Sequence, residues 1–375
     1  MNTACNNWLN SMTWQASFYG RSRQSGRKDP EFDWTWFERH GSGPLAYLKN
    51  FIRLGLKSAG LRQRGPLSVD WIHENVDALW STRCMLSDDL SRLLFDSALV
   101  VRIVDHRHFY YPRIDFDDLV DVKSVRPFES SQLPQDYLGV PLKIFEVNIR
   151  ERLDIPPLKM LTTDLQLRLL NSYRQYLIRR AGSDVSPSAG DVVLDCGACI
   201  GEVSLLFAGL VGQSGAVHLF DPIPLHIRYC ALQAAQNPNL ASVIHLNALA
   251  ISDCTRTAPS EAPDLERINP GNFSLDDFST TTIDDYASAN LERVDFIKMD
   301  IEGAELAALS GAAKVIGRYK PTLAISGYHK PEDLWELPNK IKSLNPDYVL
   351  SFGHHSPVSW ESVFYAKDPF KASPP

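Results

Sequence analysis

Val193-Leu-Asp195-Cys-Gly197-Ala-Cys-Ile-Gly201-Glu-Val-Ser-Leu-Leu206 leads from a short apolar run, through two glycines, into one of the most apolar stretches of the chain, Ser204 to Val211. That order fits a strand, a tight turn and a helix. Glycine at 197 and 201 lets the backbone come close to a ligand, and the helix N-terminus beyond it offers partial positive charge. Outward from the turn, β-branched runs recur at Asp191–Asp195, Ala216–Asp221, Val243–Leu249, Val294–Asp300 and Thr322–Ser326, alternating with helical patterns. The alternation predicts βαβ units and a parallel sheet covered on both faces. Two more runs, Tyr348–Gly353 and Ser362–Ala366, have only a turn-rich segment between them and predict a terminal antiparallel hairpin.

Toward the N-terminus the pattern is mainly helical. One helix is expected from Asp70 to Trp80, and a second is entered through Ser87 as N-cap, before Leu90, Leu93, Leu94 and Ala98. Thr163 to Arg179 reads as a single helix, with Leu165, Leu169, Tyr173 and Tyr176 at helical spacing. The Gly/Ser/Pro connector Ala181–Gly190 marks a boundary. The division expected is an aromatic and basic segment over 1–65, an accessory region over 66–160 and a catalytic domain over 161–375. Within the first, Leu45, Leu48 and Ile52 share a helical face, with Lys49, Arg53 and Lys57 elsewhere. Peripheral contact with a membrane is one use for such a helix, and packing against its own protein is the plainer one.

Composition narrows the function. The chain has 375 residues, 44% of them hydrophobic, and a net charge of −7, which suits a folded globular protein and speaks against a nucleic-acid partner. No apolar run approaches the ~20 residues of a membrane span. The N-terminus shows neither a basic nor an apolar leader region, so the expected location is cytoplasmic, with all six cysteines reduced. Oligomeric state is not written in the text, and a homodimer is left open.

The second strand ends in His218-Leu-Phe-Asp221-Pro. A carboxylate at that tip can accept hydrogen bonds from both hydroxyls of a ribose. The dinucleotide fingerprint G-x-G-x-x-G is absent, because Cys199 and Glu202 stand at two glycine positions, and Asp195 would face a pyrophosphate. NAD is therefore disfavoured. S-adenosylmethionine, which carries an adenosine, an ammonium and a sulfonium, fits an acidic crevice better.

The turn resembles motif I of class I S-adenosylmethionine-dependent methyltransferases, and the downstream sequence resembles their FkbM family. Carrying that resemblance are Thr282-Ile-Asp-Asp-Tyr286 and Val294-Asp-Phe-Ile-Lys298-Met-Asp300-Ile-Glu302-Gly303-Ala-Glu305-Leu. Pro321 to Leu334, with Tyr328-His329, then His354-His355-Ser and Glu361 to Ala366 extend it over roughly 160–367. Two positions depart modestly from the family pattern: Asp221, where Glu is common, and Gln233, where Asn is common.

The resemblance implies a Rossmann-like α/β fold with a mostly parallel seven-stranded sheet. It also implies O-methylation of a hydroxyl on a glycan or specialised metabolite, with S-adenosylhomocysteine released. Cofactor contacts are expected from Asp195, Gly197, Ala198, Gly201, Asp221 and Asp300. An acceptor hydroxyl needs a general base, and Asp300 and His329 are the candidates, with Glu302 beside them. Glu305, Tyr328 and His355 are expected around the acceptor, and Tyr173 and Tyr176 are read chiefly as core. No spacing demands a metal, although the carboxylates near Asp300 would suit a divalent ion. For Cys196-Gly-Ala-Cys199, small buried fillers are the simpler reading than a redox pair. Glu302 and Glu305 have a bland alternative as helix-dipole partners, and Lys298 as an ion-pair partner. A different class of function, a binding or scaffold protein on the same fold, would have no reason to keep Asp221, Asp300, Glu302 and His329 together.

Overall fold

Runs of Val, Leu and Ile without polar alternation become central strands where helices cover both faces of a sheet. The computed structural model describes residues 3–21, 67–103, 118–179, 184–258, 277–356 and 359–370. The Leu45–Ile52 helix and most of the 1–65 segment lie outside those residues. On the N-terminal side are α1 (Thr3–Arg21), α2 (Val69–Glu74), α3 (Val76–Met85) and α4 (Asp89–Ile103), then β1 (Val120–Pro127), β2 (Asp136–Tyr137), β3 (Val140–Pro141), β4 (Lys143–Ile149), β5 (Leu158–Thr162) and α5 (Asp164–Asn171). The remainder runs β6 (Val192–Cys196), α6 (Glu202–Val211), β7 (Ala216–Phe220), α7 (Pro224–Gln236), β8 (Ile244–Asn247), β9 (Ala250–Ile251), β10 (Thr280–Thr281), α8 (Ile283–Asn290) and β11 (Phe296–Met299). It closes with α9 (Glu305–Ser310), α10 (Ala313–Tyr319), β12 (Thr322–Ser326), α11 (Asp333–Leu344), β13 (Val349–His354) and β14 (Ser362–Lys367).

All the strand runs expected from the sequence meet in one seven-stranded sheet of order β13-β14-β12-β11-β6-β7-β8. The pairs from β12 through β8 are parallel, and β14 runs antiparallel to β12 and to β13. Strand order reverses at β6, which has β11 on one side and β7 on the other. Open α/β sheets bind ligands at the carboxyl ends of the strands beside such a reversal.

A second, three-stranded antiparallel sheet, β1-β4-β5, adds strands to a region expected to be mainly helical. It explains the apolar stretch after the glycine turn: every residue of α6 is buried. A helix apolar all round needs cover all round, and α6 has the main sheet on one side and the small sheet on the other. A Cβ at Gly209 would meet Ile149 Cδ1 at 2.6 Å, so α6 and the small sheet are in close contact there.

Both sheets have an edge capped by side chains. Gln233 on α7 and Asn237, its C-cap one turn further on, each pair doubly with the backbone of β5: Leu161 N–H donates to Gln233 Oε1 (2.9 Å) and Gln233 Nε2 to Leu161 O (2.6 Å), while Asn237 does the same with Lys159 (2.8 and 2.9 Å). The helical i, i+4 spacing matches the i, i+2 spacing of a strand, and the amides occupy an edge that would otherwise invite pairing. At the other end, Ser87 N–H donates to Leu350 O (2.8 Å) and Phe352 N–H to Ser91 Oγ (2.9 Å), covering β13. Residues of α1 to α4 belong to the same apolar core as β11, β12 and β13.

Local expectations are corrected at three points. The helix expected over Asp70–Trp80 is two helices, broken at Asn75. Asp88, not Ser87, caps α4, since Ser91 N–H donates to its Oδ1 (2.7 Å). The Thr163–Arg179 helix, capped by Thr163 Oγ1 accepting from Gln166 N–H (3.2 Å), stops at Asn171. Beyond it Arg174 (φ 50°) and Tyr176 (φ 65°) take the left-handed conformation, which no helix continues through.

Candidate active site

A cavity opens at the carboxyl ends of β6, β7 and β11, beside the order reversal. Its wall is acidic on an apolar background. Glu202, Asp221, Asp300, Glu302 and Glu361 line it together with Phe220, Ile223, Leu249 and Ile251, and Lys298 is the one lysine or arginine among the described lining residues.

The Gly197 turn forms the base. Gly197 has φ 83°, and a Cβ there would fall 1.9 Å from Asp300 O, so only glycine lets the β6 and β11 turns close on each other. Lys298 holds the turn from beneath: its Nζ donates to Gly197 O at 2.6 Å and pairs with Asp195 Oδ1 at 3.0 Å. Asp195 and Lys298 are direct neighbours in the β6–β11 register, and Ala324 opposite Lys298 on β12 is small. Ser204 Oγ donates to Asp195 Oδ2 at 2.5 Å. Burial acts to lower the Lys298 pKa, but Asp195 and Asp300 outweigh it and the ammonium stays charged.

This corrects two expected cofactor contacts. Asp195 is fully buried and absent from the cavity wall, because its carboxylate serves Lys298 and Ser204. Gly201 (φ 86°) faces the opposite way, with a Cβ there meeting Cys230 Sγ at 3.0 Å, so it packs α6 against α7. Gly197, Ala198, Asp221 and Asp300 do line the cavity. Asp221 is more committed than a ribose acceptor needs to be. It accepts from Cys199 N–H (2.9 Å), Ile223 N–H (3.0 Å) and His226 Nδ1 (2.9 Å). A carboxylate has about four acceptor sites, so Asp221 has room for one more donor, not two.

Asp300 is a fixed anion. Tyr176 Oη donates to its Oδ2 at 2.6 Å and Tyr328 Oη to its Oδ1 at 2.9 Å. Burial alone would raise its pKa, yet His329, Lys298 and the two hydroxyls together hold it below the usual carboxylate value. Tyr176, read as core, thus stands in the cavity wall.

His329 lies behind Asp300, outside the cavity wall. Its Nδ1 is 3.0 Å from Glu305 Oε1, and its Nε2 is 3.4 Å from Asp300 Oδ1 and 3.9 Å from Glu302 Oε2. These are ion pairs by distance, with ring N–H directions off good hydrogen-bond alignment. Burial disfavours the imidazolium, but three carboxylates overcome it and raise the pKa well above the usual histidine value. A histidine that keeps its proton cannot take one from an acceptor, so the base role expected for His329 is corrected to that of counter-ion. Asp300, Glu305 and His329 place ligand-type atoms within 4.8 Å of one another, and the imidazolium itself supplies the positive charge there.

Glu305 and His355 are also displaced from their expected places around the acceptor. Glu305 is fully buried and accepts from Ile301 N–H (2.8 Å) beside His329. His355 is sealed between Tyr173 O (2.7 Å) and Tyr365 Oη (2.7 Å), where it ties the end of β13 to the turn after α5. Tyr328 does line the cavity.

Two acids were missed. Glu202, at the first turn of α6, is buried with Oε2 unpartnered among the described residues, and burial pushes its pKa up to about 7. Glu361, one residue before β14, is pushed up to about 8 by burial and then by Asp300. The raised sites share a wall with the depressed Asp300. Cys196 and Cys230 are buried and Cys199 is half-buried in the cavity wall, and in all three the thiol pKa is raised first by burial, which disfavours the reactive thiolate.

Residues 195–349 match the methyltransferase FkbM domain family. A methyltransferase FkbM from Methylobacillus flagellatus KT aligns at 24% identity and TM-score 0.51, covering 79% of this chain and 60% of that one. The chain thus spans about three fifths of that protein, and at this identity the likeness is one of fold. A fibrillarin from Aeropyrum pernix, in complex with S-adenosyl-L-methionine, aligns at 11% identity and TM-score 0.34, covering 66% of this chain and 99% of that one. That overlap is too loose to carry an argument. No curated protein matches the chain.

Proposed function

We propose, from the premise that the chain belongs through residues 195–349 to the FkbM family of S-adenosylmethionine-dependent methyltransferases, that it O-methylates a hydroxyl of a glycan or specialised metabolite. S-adenosylhomocysteine is the other product. One observation carries the reading: five carboxyl groups and a single, already paired lysine line a cavity at the sheet's order reversal. Such a wall attracts a cation and repels a phosphate.

The residues fit the methyl donor. Glu202 Oε2 is a buried acceptor without a partner, Asp221 has one acceptor site left, and Asp300 is a fixed anion. Phe220, Ile223, Leu249 and Ile251 supply apolar surface for a base. Asp221 and the Gly197–Cys199 turn would hold the ribose side, and Asp300 and Glu202 the cationic side. When bound, the donor supplies a methyl group on a sulfonium centre; the protein has to hold a hydroxyl in line, exclude water and receive a proton.

The same acidity favours an acceptor that is uncharged near the reacting hydroxyl, a small polyol or neutral glycan and not a nucleic acid. A cytoplasmic setting agrees with six free thiols. No helix among the described residues is long and apolar enough to cross a membrane. Calorimetric titration with S-adenosylmethionine, followed by transfer of labelled methyl to a panel of neutral glycans and polyols, tests the reading. Saturable binding with label in an ether linkage is expected. Label on amines alone, with every alcohol ignored, would overturn the O-methylation part.

A further inference from the structure

We propose that Glu361 is the group that receives the proton of the acceptor hydroxyl. The proposal rests on the methyl-transfer reading above and assigns a role to a residue that the motifs around Asp300 leave out.

Backbone strain is the first indication. Seven non-glycine residues among those described have positive φ, and four of them, Tyr176, Cys199, Glu302 and Glu361, line this one cavity. A left-handed backbone costs about 1–2 kcal/mol per residue, and such strain persists where the surroundings impose it, often at functional sites. At Glu361 (φ 64°) the turn is held by His355 N–H donating to Glu361 O at 2.9 Å. The same His355 is locked by Tyr173 and Tyr365.

Orientation is the second. Gln175, itself 5% exposed, donates through Nε2 to Tyr176 Oη at 2.9 Å and to Glu361 Oε2. One amide therefore sets the carboxyl of Glu361 relative to the hydroxyl that holds Asp300. No described residue donates a hydrogen bond to Oε1, and the residue lines the cavity. Asp195, by contrast, has an ammonium at Oδ1 and a serine hydroxyl at Oδ2.

The other candidates are spoken for. His329 is an imidazolium among three carboxylates. Asp300 accepts two tyrosyl hydroxyls and is depressed below the usual value, which makes it a weak base. Glu302 is half exposed and pairs with His329. Glu202 has Lys298, Asp195 and His226 as its charged neighbours and is assigned above to the cationic side of the donor. Facing Glu361 are Asp300 and Glu302 from the end of β11, Tyr328 and His329 beyond β12, and Gln175 and Tyr176 beyond α5. Burial and the two carboxylates raise its pKa, His329 and Gln175 restrain it, and the result of about 8 lies near working pH, where a base is most effective.

The step balances without a further reagent. The acceptor O–H bond breaks with its proton passing to the Glu361 carboxylate, an oxygen electron pair forms the new C–O bond, and the C–S pair stays on sulfur. The Glu361 carboxyl then returns its proton to water.

Glu361→Gln, Glu361→Asp and Gln175→Met, made in the full chain, test the proposal in two assays. The first is calorimetry with S-adenosylmethionine at pH 7.5 in buffers of different ionisation enthalpy. A cation beside a largely protonated Glu361 releases a proton, so wild type should release a fraction of a proton per site that Glu361→Gln does not, at similar affinity. The second is labelled-methyl transfer to whichever glycan or polyol the wild type accepts. The wild-type kcat/KM for the donor should rise with pH to a plateau above about 8, and kcat should reach its plateau at lower pH because the bound cation favours the Glu361 carboxylate. Glu361→Gln should lose about 10²–10⁴-fold in kcat and the rising limb. Glu361→Asp should recover part of both, and Gln175→Met should move the limb to higher pH. Equal proton release by Glu361→Gln, or an unchanged pH–rate limb, overturns the proposal. A matching fall in donor affinity and kcat also overturns it, by making Glu361 a donor-holding group. Failure of the wild type to bind the donor at all would instead sink the methyltransferase reading, and a Glu361→Gln that does not melt cooperatively is replaced in both assays by Glu361→Asp.

Discussion

Asp195 and Glu361 are both buried acids within reach of the same sheet edge, and they have opposite characters. Asp195 is 0% exposed, has an ammonium at 3.0 Å and a serine hydroxyl at 2.5 Å, and lies beneath the turn. Glu361 is 6% exposed, has one amide donor, and faces like charge at Asp300 and Glu302. What differs is the partner: a cross-strand lysine ties Asp195 beneath the Gly197 turn and locks that turn. Without one, Glu361 hovers near neutrality and is free to exchange a proton.

The largest test of that contrast is Lys298→Met. It leaves Asp195 buried without its counter-ion, and denaturant unfolding should show a loss of about 3–5 kcal/mol; a change below about 1 kcal/mol would mean that Asp195 depends on something other than Lys298. Ser204→Ala removes one of the two supports and is expected to cost about 1.5–3 kcal/mol, as for a hydrogen bond to a charged group.

The pH dependence of folding should separate the acids further. The folded-state pKa of Glu361 is raised from 4.5 to about 8, so its contribution to stability is fully present below pH 4.5 and is lost as pH rises through about 8. Glu361→Gln does not titrate. Its stability relative to wild type, in the absence of donor, should therefore increase with pH across that window by up to about 1.4 kcal/mol per pH unit. Parallel melting curves for the two proteins from pH 5 to 8 would show that Glu361 has an ordinary pKa. As the smallest effect, Gln233→Leu removes the double amide cap on β5 for about 1 kcal/mol, and that loss should be the same at every pH because no charge is involved.

Much of the frame was legible in the chain. Short β-branched runs between helical patterns marked all seven strands of the main sheet, because strands buried on both faces must be apolar throughout. The Gly197 turn and the acid at Asp221 were legible for a similar reason, since close backbone approach demands glycine and a strand tip is a fixed address. The small sheet was harder to see. β1 is mostly exposed, and β4 and β5 bury adjacent residues as well as alternate ones, so the period-2 signal is weak. Helix α5 was read too long because Tyr173 and Tyr176 keep helical spacing in sequence, while left-handed Arg174 and Tyr176 turn the chain into the cavity.

Site chemistry divided along the same line. Proximity of Asp300, Glu302 and Glu305 in sequence pointed to the right edge of the sheet, and Tyr328-His329 to its neighbour. The sequence by itself determined which residue types gather there and on which fold. Only tertiary structure decided their protonation: His329 is a charged counter-ion because three carboxylates surround it, Asp300 is held as an anion by His329, Lys298 and the hydroxyls of Tyr176 and Tyr328, and Glu361, 61 positions after Asp300 in the chain, rises beside it. A pKa depends on burial and on charges a few ångströms away, and those distances are set by strand register and turn geometry, not by separation along the chain.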